Sequence, residues 1–261
     1  TRGYVGTGND VLIAGFVIKG DSTATKRCMV AVTGASLTAA PGFSPLQNPT
    51  MELHQAGVGL LATNDNWDDN SQSDIDIFQK WAPSSTNDPV ILKDLGPGSY
   101  TAIVRGVGNT QGIAIVGVND MEQDGGTGSA YIFNISTRGK VGTGNNVMIA
   151  GFVVKGDDAS SLKVIVSNTA KTLGDNPSIG FYTLQNPMIE LYDGQTRIDY
   201  NDNWQERSSD EISVLGSSGV TPKDQYESSM VKDFAPKAYT GIMTGVGNTQ
   251  GIAIIGVTLA E

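Results

Sequence analysis

The sequence predicts an all-β chain of two tandem antiparallel β-sandwiches, jelly-roll or Ig-like, related by an internal duplication. Three observations predict it. First, the two halves repeat each other at the spacing of a whole domain. Second, apolar residues alternate over short runs that are bounded by turn residues. Third, glycine makes up 33 of the 261 residues and charged residues only 17%, against usual shares of roughly 7% and about 25%. High glycine and low charge suit short strands joined by tight turns.

The repeat is read from motifs. Thr1-Arg2-Gly3-x-Val5-Gly6-Thr7-Gly8-Asn9 returns as Thr137-Arg138-Gly139-x-Val141-Gly142-Thr143-Gly144-Asn145, and Ile13-Ala14-Gly15-Phe16-Val17 returns as Ile149-Ala150-Gly151-Phe152-Val153, both offset by 136. Leu46-Gln47-Asn48-Pro49 returns at Leu184 to Pro187, and Asn64-Asp65-Asn66-Trp67 at Asn201 to Trp204. The ten residues from Gly106 to Ile115 return unchanged from Gly245 to Ile254, offset by 139. A period of this size is far above the 20–50 residues of solenoid repeats and matches a whole domain. The organisation expected is a first sandwich over residues 1–120, a linker over 121–129 and a second sandwich over 130–261. The seam (119–129, NDMEQDGGTGS) is polar, acidic and glycine-rich, as linkers are.

Each strand has its own signal. Residues 11–18 and 147–154 are near-continuous apolar runs of strand length. Residues 28–32 and 164–166 follow as the next strands. Met51-x-Leu53 and Ile189-x-Leu191 alternate with Glu52, His54, Glu190 and Tyr192. Tyr100-x-Ala102-x-Val104 and Tyr239-x-Gly241-x-Met243 alternate likewise, and residues 113–118 and 252–257 close each copy. Pro97-Gly98 and Gly108-Asn109 mark turns. Residues 74–81 and 210–215 are the only short helices expected. The second copy is preceded by Tyr131, Ile132, Phe133, Asn134, Ile135 and Ser136, an alternating segment suited to a strand. The first copy begins at Thr1 with no such segment, so either that strand was removed with a precursor or something else fills its place. Thr1 in place of Met reads as a processed or trimmed product, a removed export signal being one explanation.

Composition excludes several function classes. The net charge is −10 and the pI about 4.5, which argues against nucleic acid and against anionic lipid. No run of 18 apolar residues offers a membrane span. Cys28 is the only cysteine, so no internal disulfide can form; it aligns with Val164 and reads as a small buried hydrophobe. His54 is the only histidine and aligns with Tyr192, so a duplicated catalytic site would not use it. No nucleophile elbow is present. Gly106-x-Gly108-x-x-x-Gly112 precedes a strand and lacks the dinucleotide fingerprint. Asn134-Ile135-Ser136 is a formal glycosylation acceptor inside the expected strand. No enzyme is expected.

The candidate metal site is the acidic loop of each copy. Asp65, Asp68 and Asp69 follow or flank Trp67 in the first, with Asp74 and Asp76 beyond; Asp202 and Asp210 flank Trp204 in the second, with Glu206 and Glu211. Calcium takes six to eight oxygens, which such loops could supply. The alternative is a hydrogen-bonded turn in which Asp65 and Asp202 accept backbone N–H bonds and the tryptophans cap the core.

The opening motif over 134–152, and over 1–16 without its first three residues, resembles a bacterial repeat of large secreted and surface proteins, N-I-S-T-R-G-x-V-G-T-G leading through L-x-x-P, E-L and N-D-N-W to P-x-x-Y-T-x-x-V-x-G. Glu52-Leu53, Asn64 to Trp67 and residues 97–106 carry the rest in the first copy; Glu190-Leu191, Asn201 to Trp204 and residues 236–245 carry it in the second. More loosely, the units are similar to the pre-peptidase C-terminal β-sandwich domains of secreted bacterial proteases, which are non-catalytic and whose collagen-binding relatives bind calcium. No protease accompanies them here. His54-Gln55-Ala56-Gly57 departs from the usual glycine-rich turn, and Pro97-Gly98 becomes Pro236-Lys237. The resemblance implies an extracellular module.

Two functional expectations follow. The first is a self-assembling surface or filament subunit with a scaffolding or adhesive role, whose partners are copies of itself joined head to tail. Tyr131, Ile132, Phe133 and Ile135 are then the candidate assembly residues, because a missing edge strand invites strand addition. The second is a carbohydrate- or matrix-binding accessory module of a secreted enzyme, which would show exposed aromatics repeated in both copies.

Overall fold

The computed structural model describes residues 1–122, 130–157 and 160–260. Most of the expected linker, residues 123–129, lies outside the described residues. The chain is all-β, with antiparallel ladders and two short α-helices among the described residues. No helix among them is long and apolar enough to cross a membrane. It divides into two compact units, Arg2–Ile135 and Ser136–Glu261, with Thr1 grouped in the second.

The first unit runs β1 (Arg2–Val5), β2 (Leu12–Lys19), β3 (Lys26–Thr33), β4 (Pro49–Gln55), β5 (Gly59–Asn64), α1 (Gln72–Phe78), β6 (Val90–Leu95), β7 (Gly98–Gly106) and β8 (Gly112–Asp120). One series of strands is β2-β7-β4-β5 and the other is β1-β8-β3-β6. Strand β9 (Tyr131–Val141) follows. The second unit continues with β10 (Met148–Val153), β11 (Leu162–Thr169), β12 (Pro187–Asp193), β13 (Thr196–Asn201), α2 (Ser209–Ser218), β14 (Ser229–Phe234), β15 (Ala238–Gly245) and β16 (Gly251–Leu259). Its two series are β10-β15-β12-β13 and β9-β16-β11-β14. The internal repeat therefore returns as the same strand pairing in each unit.

Period-two alternation builds the core. In β2, Leu12, Ala14, Phe16 and Ile18 are buried and the residues between them are half-buried. They meet Leu53, Tyr100, Ala102 and Val104 from their own series and Val30, Val32, Ala114 and Val116 from the other. Burying each such aliphatic side chain contributes about 1.5–3 kcal/mol. Phe16 pairs across the ladder with Tyr100, rings stacked at 5.1 Å. Phe152 and Tyr239 repeat this at 5.6 Å, where Phe234 adds an edge contact to each.

The Leu-Gln-Asn-Pro motif carries the chain from one series to the other. Leu46 is fully buried, its N–H donates to Ile113 O (2.9 Å), and Ile113 N–H donates to Ser44 O (2.8 Å). A Cβ on Gly112 would sit 2.6 Å from Leu46 N, so only glycine admits this approach. The identical decapeptide is explained beside it. Gly108 and Asn109 adopt left-handed conformations (φ 65° and 62°), and Thr110 Oγ1 donates to Val107 O at 2.9 Å. The same turn recurs at Gly247, Asn248 and Thr249.

Strands β1, β5, β6, β13 and β14 were not expected from the sequence. The helices were, but each begins earlier than expected. α1 is capped by Ser71 and α2 by Ser208, the latter in a reciprocal box with Glu211.

Residues 131–135, expected as part of the second unit, take the place left open beside the first copy. They belong to the first unit, where β9 lies beside β2, Ala130 is buried in the core and Ile135 packs on it. Lys19 Nζ stands 3.4 Å from the centre of the Phe133 ring.

Leu46→Ala should lower unfolding free energy by about 2–5 kcal/mol, and Gly112→Ala by about 1–3 kcal/mol through overpacking. Urea unfolding followed by tryptophan fluorescence measures both.

Candidate functional site

The acidic loops are built as latches. Asn64 ends β5; its Oδ1 accepts from Val90 N–H (2.8 Å) and its Nδ2 donates to Asn66 O (2.8 Å), tying β5 to the start of β6. Trp67 Nε1 donates to Ser85 O (3.0 Å), and its ring meets Phe78 edge-on at 6.3 Å. The second unit repeats the latch. Asn201 Oδ1 accepts from Ser229 N–H (2.9 Å), Asn201 Nδ2 donates to Asn203 O (2.9 Å), and Trp204 Nε1 donates to Asp224 O (3.1 Å).

In this motif the asparagines and tryptophan carry the structure. Asp69 accepts from Asn66 Nδ2 at a long 3.4 Å, and Asp74 and Asp76 are engaged by Ser71 and Gln72 at the start of α1. Among the described residues no three carboxylate, histidine or cysteine side chains are gathered as metal ligands. Asp65, Asp68 and Asp69 do not form such a group, nor do Asp202 and Asp210 with Glu206 and Glu211.

Two carboxylates not singled out in the sequence do more. Asp88 is fully buried and accepts from the N–H groups of Gly34 (2.7 Å), Ala35 (2.8 Å) and Ser36 (2.9 Å). Glu227, its equivalent at the offset of 139, is also buried and accepts from Ala170 N–H (2.8 Å), Thr172 N–H (3.1 Å) and Thr172 Oγ1 (2.6 Å). Each holds the loop after β3 or β11 by satisfying several otherwise orphaned backbone donors. The only signal in the sequence is an acidic residue at one position of both copies.

The lone cysteine and the lone histidine sit in structural surroundings. Cys28 is buried and burial pushes its thiol up to about 12, which leaves no thiolate at neutral pH. His54 Nε2 lies 3.0 Å from Glu52 Oε2, and Arg105 lies 3.4 Å from Glu52 Oε1. The His54 hydrogen bond, helped by the Arg105 charge, holds the Glu52 carboxyl below its ordinary range. The second unit has an ionic cluster with no counterpart at the equivalent positions of the first. Arg207 bonds Asp199 (3.0 and 2.8 Å) and Glu211 (3.0 and 2.7 Å), and Lys232 reaches Asp199 (3.2 Å). Burial would raise Asp199 and Glu211, but the bonds from Arg207, with Lys232 at Asp199 and Val231 N–H and Ser208 at Glu211, outweigh it and hold both carboxyls low.

Aromatic exposure does not repeat. Trp67 and Trp204 are half-buried with their indole N–H groups turned inward. Trp81, Tyr182 and Tyr200 are exposed, and the equivalents of Tyr182 and Tyr200 in the first copy are Ser44 and Thr63.

The clearest asymmetry lies at equivalent strands. In β2 the strand runs to Lys19, with Val17 and Lys19 half-buried. In β10 it stops at Val153, two residues short of the equivalent point, and Val153 is 67% exposed. Lys155, the equivalent of Lys19, is exposed. The core beneath follows: Phe16 is 2% exposed and Phe152 7%. Val154 N–H donates to Lys237 O (3.0 Å). Bonded pairs alternate along an antiparallel ladder, so the peptide groups of Val153 point away from β15.

Asp88→Asn and Glu227→Gln should each destabilise by about 3 kcal/mol or more, because one acceptor serves several buried donors. Arg207→Ala should cost about 3 kcal/mol at neutral pH by leaving Asp199 and Glu211 unpaired. The two carboxyls are depressed in the folded state, so their stabilisation is present above the ordinary carboxylate range of about 4 and is lost as pH falls through the folded values. The parent chain should therefore lose more stability than Arg207→Ala between neutral pH and acid, as measured by urea melts across pH.

A scan against protein-family models and a search of curated proteins find no match to this chain.

Proposed function

We propose that the chain is two tandem β-sandwiches that serve as a non-catalytic structural building block outside the cell, assembling head to tail with copies of itself. The sandwich reading rests on the two strand series of each unit, whose inward residues share one core in the first. The observation that carries the assembly reading is the unequal fate of β2 and β10. The two strands share the run Ile-Ala-Gly-Phe-Val, yet one is flanked by residues 131–135 and the other exposes Val153. The exposed end of β10 carries glycine and valine, an apolar surface that contact with a neighbouring copy would bury.

A contact made by different surfaces of donor and acceptor is heterologous, and such contacts propagate into open polymers unless they close into rings. Low charge suits packed subunit surfaces. The resemblance of the opening motif to repeats of bacterial surface proteins supports the extracellular setting.

Negative-stain electron microscopy of the chain at neutral pH, with sedimentation velocity over a concentration series, tests the proposal. Ordered fibres, or species heavier than 27.4 kDa that grow with concentration, are expected. A monomer at every concentration without fibres would overturn it and turn the search to glycan and matrix ligands.

A further inference from the structure

Each unit ends one of its strand series on a strand with a single partner. Among the described residues β5 pairs only with β4, and β13 only with β12. We infer that these two edges fit each other: β5 of one copy takes β13 of the next as an antiparallel neighbour, with Leu60 opposite Tyr200 and Thr63 opposite Arg197. The inference rests on the assembly reading and deepens it by naming the strands and the register through which copies join.

The backbone sets the match. Bonded and non-bonded pairs alternate along an antiparallel ladder. Ala56 N–H donates to Ser99 O and Val107 N–H to Asn48 O, both at 2.9 Å, so Glu52 and His54 direct their peptide groups to β7. Their opposite residues in β5, Thr63 and Leu60, therefore turn their own N–H and C=O outward. In the second unit Val246 N–H donates to Asn186 O (2.9 Å). Glu190 and Tyr192 then face β15, and their opposite residues, Tyr200 and Arg197, turn outward. A bulge at Leu53/His54 and another at Leu191/Tyr192 set the outward residues three apart in both strands, where a regular edge has them two apart. A regular strand in phase with one outward residue misses the other. A second bulged edge meets both.

Side chains choose between the edges. Exposed edges are ordinarily blunted with charge, and β6 and β14, which also have one partner each, carry Lys93-Asp94 and Lys232-Asp233. β5 carries no charge, and Leu60 is 56% exposed. β13 presents Tyr200, also 56% exposed, with Arg197 5.1 Å from its ring centre. In the stated register Leu60 and Tyr200 form an aliphatic–aromatic cross-strand pair. Asp65, exposed two residues beyond Thr63, lies diagonal to Arg197 and within reach of its long side chain. Pairing β5 with β5 would set Leu60 against Thr63 twice and bring Asp65 no cation. Main-chain bonds give the affinity and these side chains the choice of partner. The contact joins different surfaces, so it propagates head to tail.

The test uses the full chain. Thr63→Cys and Arg197→Cys variants are mixed over a concentration series, oxidised, and read by non-reducing electrophoresis and intact mass. Opposed residues of an antiparallel ladder lie within disulfide reach, about 5.5 Å between Cα atoms, and the native Cys28 is buried. A mixed disulfide is expected from the pair, and no dimer from either variant alone. Leu60→Lys should raise the concentration of half-association in sedimentation velocity about tenfold or more. Asp65→Asn and Arg197→Ala should each raise it about two- to fivefold, and together no further than the larger of the two, as a coupled pair requires. All of these side chains lie at exposed positions, and circular dichroism checks that each variant is folded.

Association of the parent chain without the mixed disulfide, with the self-dimer of Thr63→Cys in its place, or undiminished by Leu60→Lys overturns the inference and leaves the assembly reading standing. A parent chain that stays monomeric and variants that yield no mixed disulfide overturn both.

Discussion

The pairing of peptide groups along strand edges is the constraint on which the rest of each unit depends. A buried N–H or C=O without a partner costs on the order of a lost hydrogen bond. A fold made of strands therefore has to answer for every edge and every loop that leaves one. The ladders answer for the strand interiors. The loops are closed by side chains that imitate a neighbouring strand: Asn64 and Asn201 bond the first residues of β6 and β14, and Asp88 and Glu227 collect the donors of the loops after β3 and β11. The apolar core then fills the space that these bonds define, with Leu46 and Leu184 fully buried where the chain passes from one strand series to the other.

Legibility in the sequence follows from how local each signal is. The strands with one wet and one dry face, such as β2 and β7, announce themselves through alternation, because adjacent side chains meet different solvents. β5 and β13 do not, because as outer strands they keep few side chains buried: GLLATN and TRIDYN carry no period of two. β6 and β14 pair only with β3 and β11, and their charged residues fall two together, as in Lys93-Asp94 and Lys232-Asp233. The helix positions were legible but their starts were not. The cap is a serine three residues ahead of an acid, Ser71 before Asp74 and Ser208 before Glu211, and the acid is the more visible half of the pair.

The acidic loops teach a related lesson. Read as composition, Asn-Asp-Asn-Trp suggests a metal ligand set. Read as geometry, the asparagine amides and the indole N–H form the bonds, and the aspartates between them play the smaller part. Asp88 and Glu227 went unremarked because a single acid in a polar stretch resembles any solvated one. Only the fold shows that it sits among backbone donors. The same long-range dependence explains residues 131–135. They precede the second copy along the chain, and adjacency in sequence pointed there, but a strand's unit is decided by its neighbours across the sheet.

Divergence between the copies separates what the fold requires from what each unit has added. The latch asparagines, the crossover leucine and the left-handed Gly-Asn turn recur unchanged, and each makes a bond or a close approach that another side chain would break. The Arg207 cluster does not recur. Its counterparts in the first copy are Ala62, Asn70 and Asp74, and there Asn70 Nδ2 spans to Trp67 O (2.8 Å) and Val90 O (2.9 Å) instead. A neutral amide and an ionic cluster thus stabilise equivalent corners by different means. The strands β2 and β10 present the opposite case, with one sequence in two environments. Val17 and Lys19 are half-buried while Val153 and Lys155 are exposed, so the two residues by which β2 is longer follow from burial and not from propensity: a strand keeps its extended form as far as its side chains find cover.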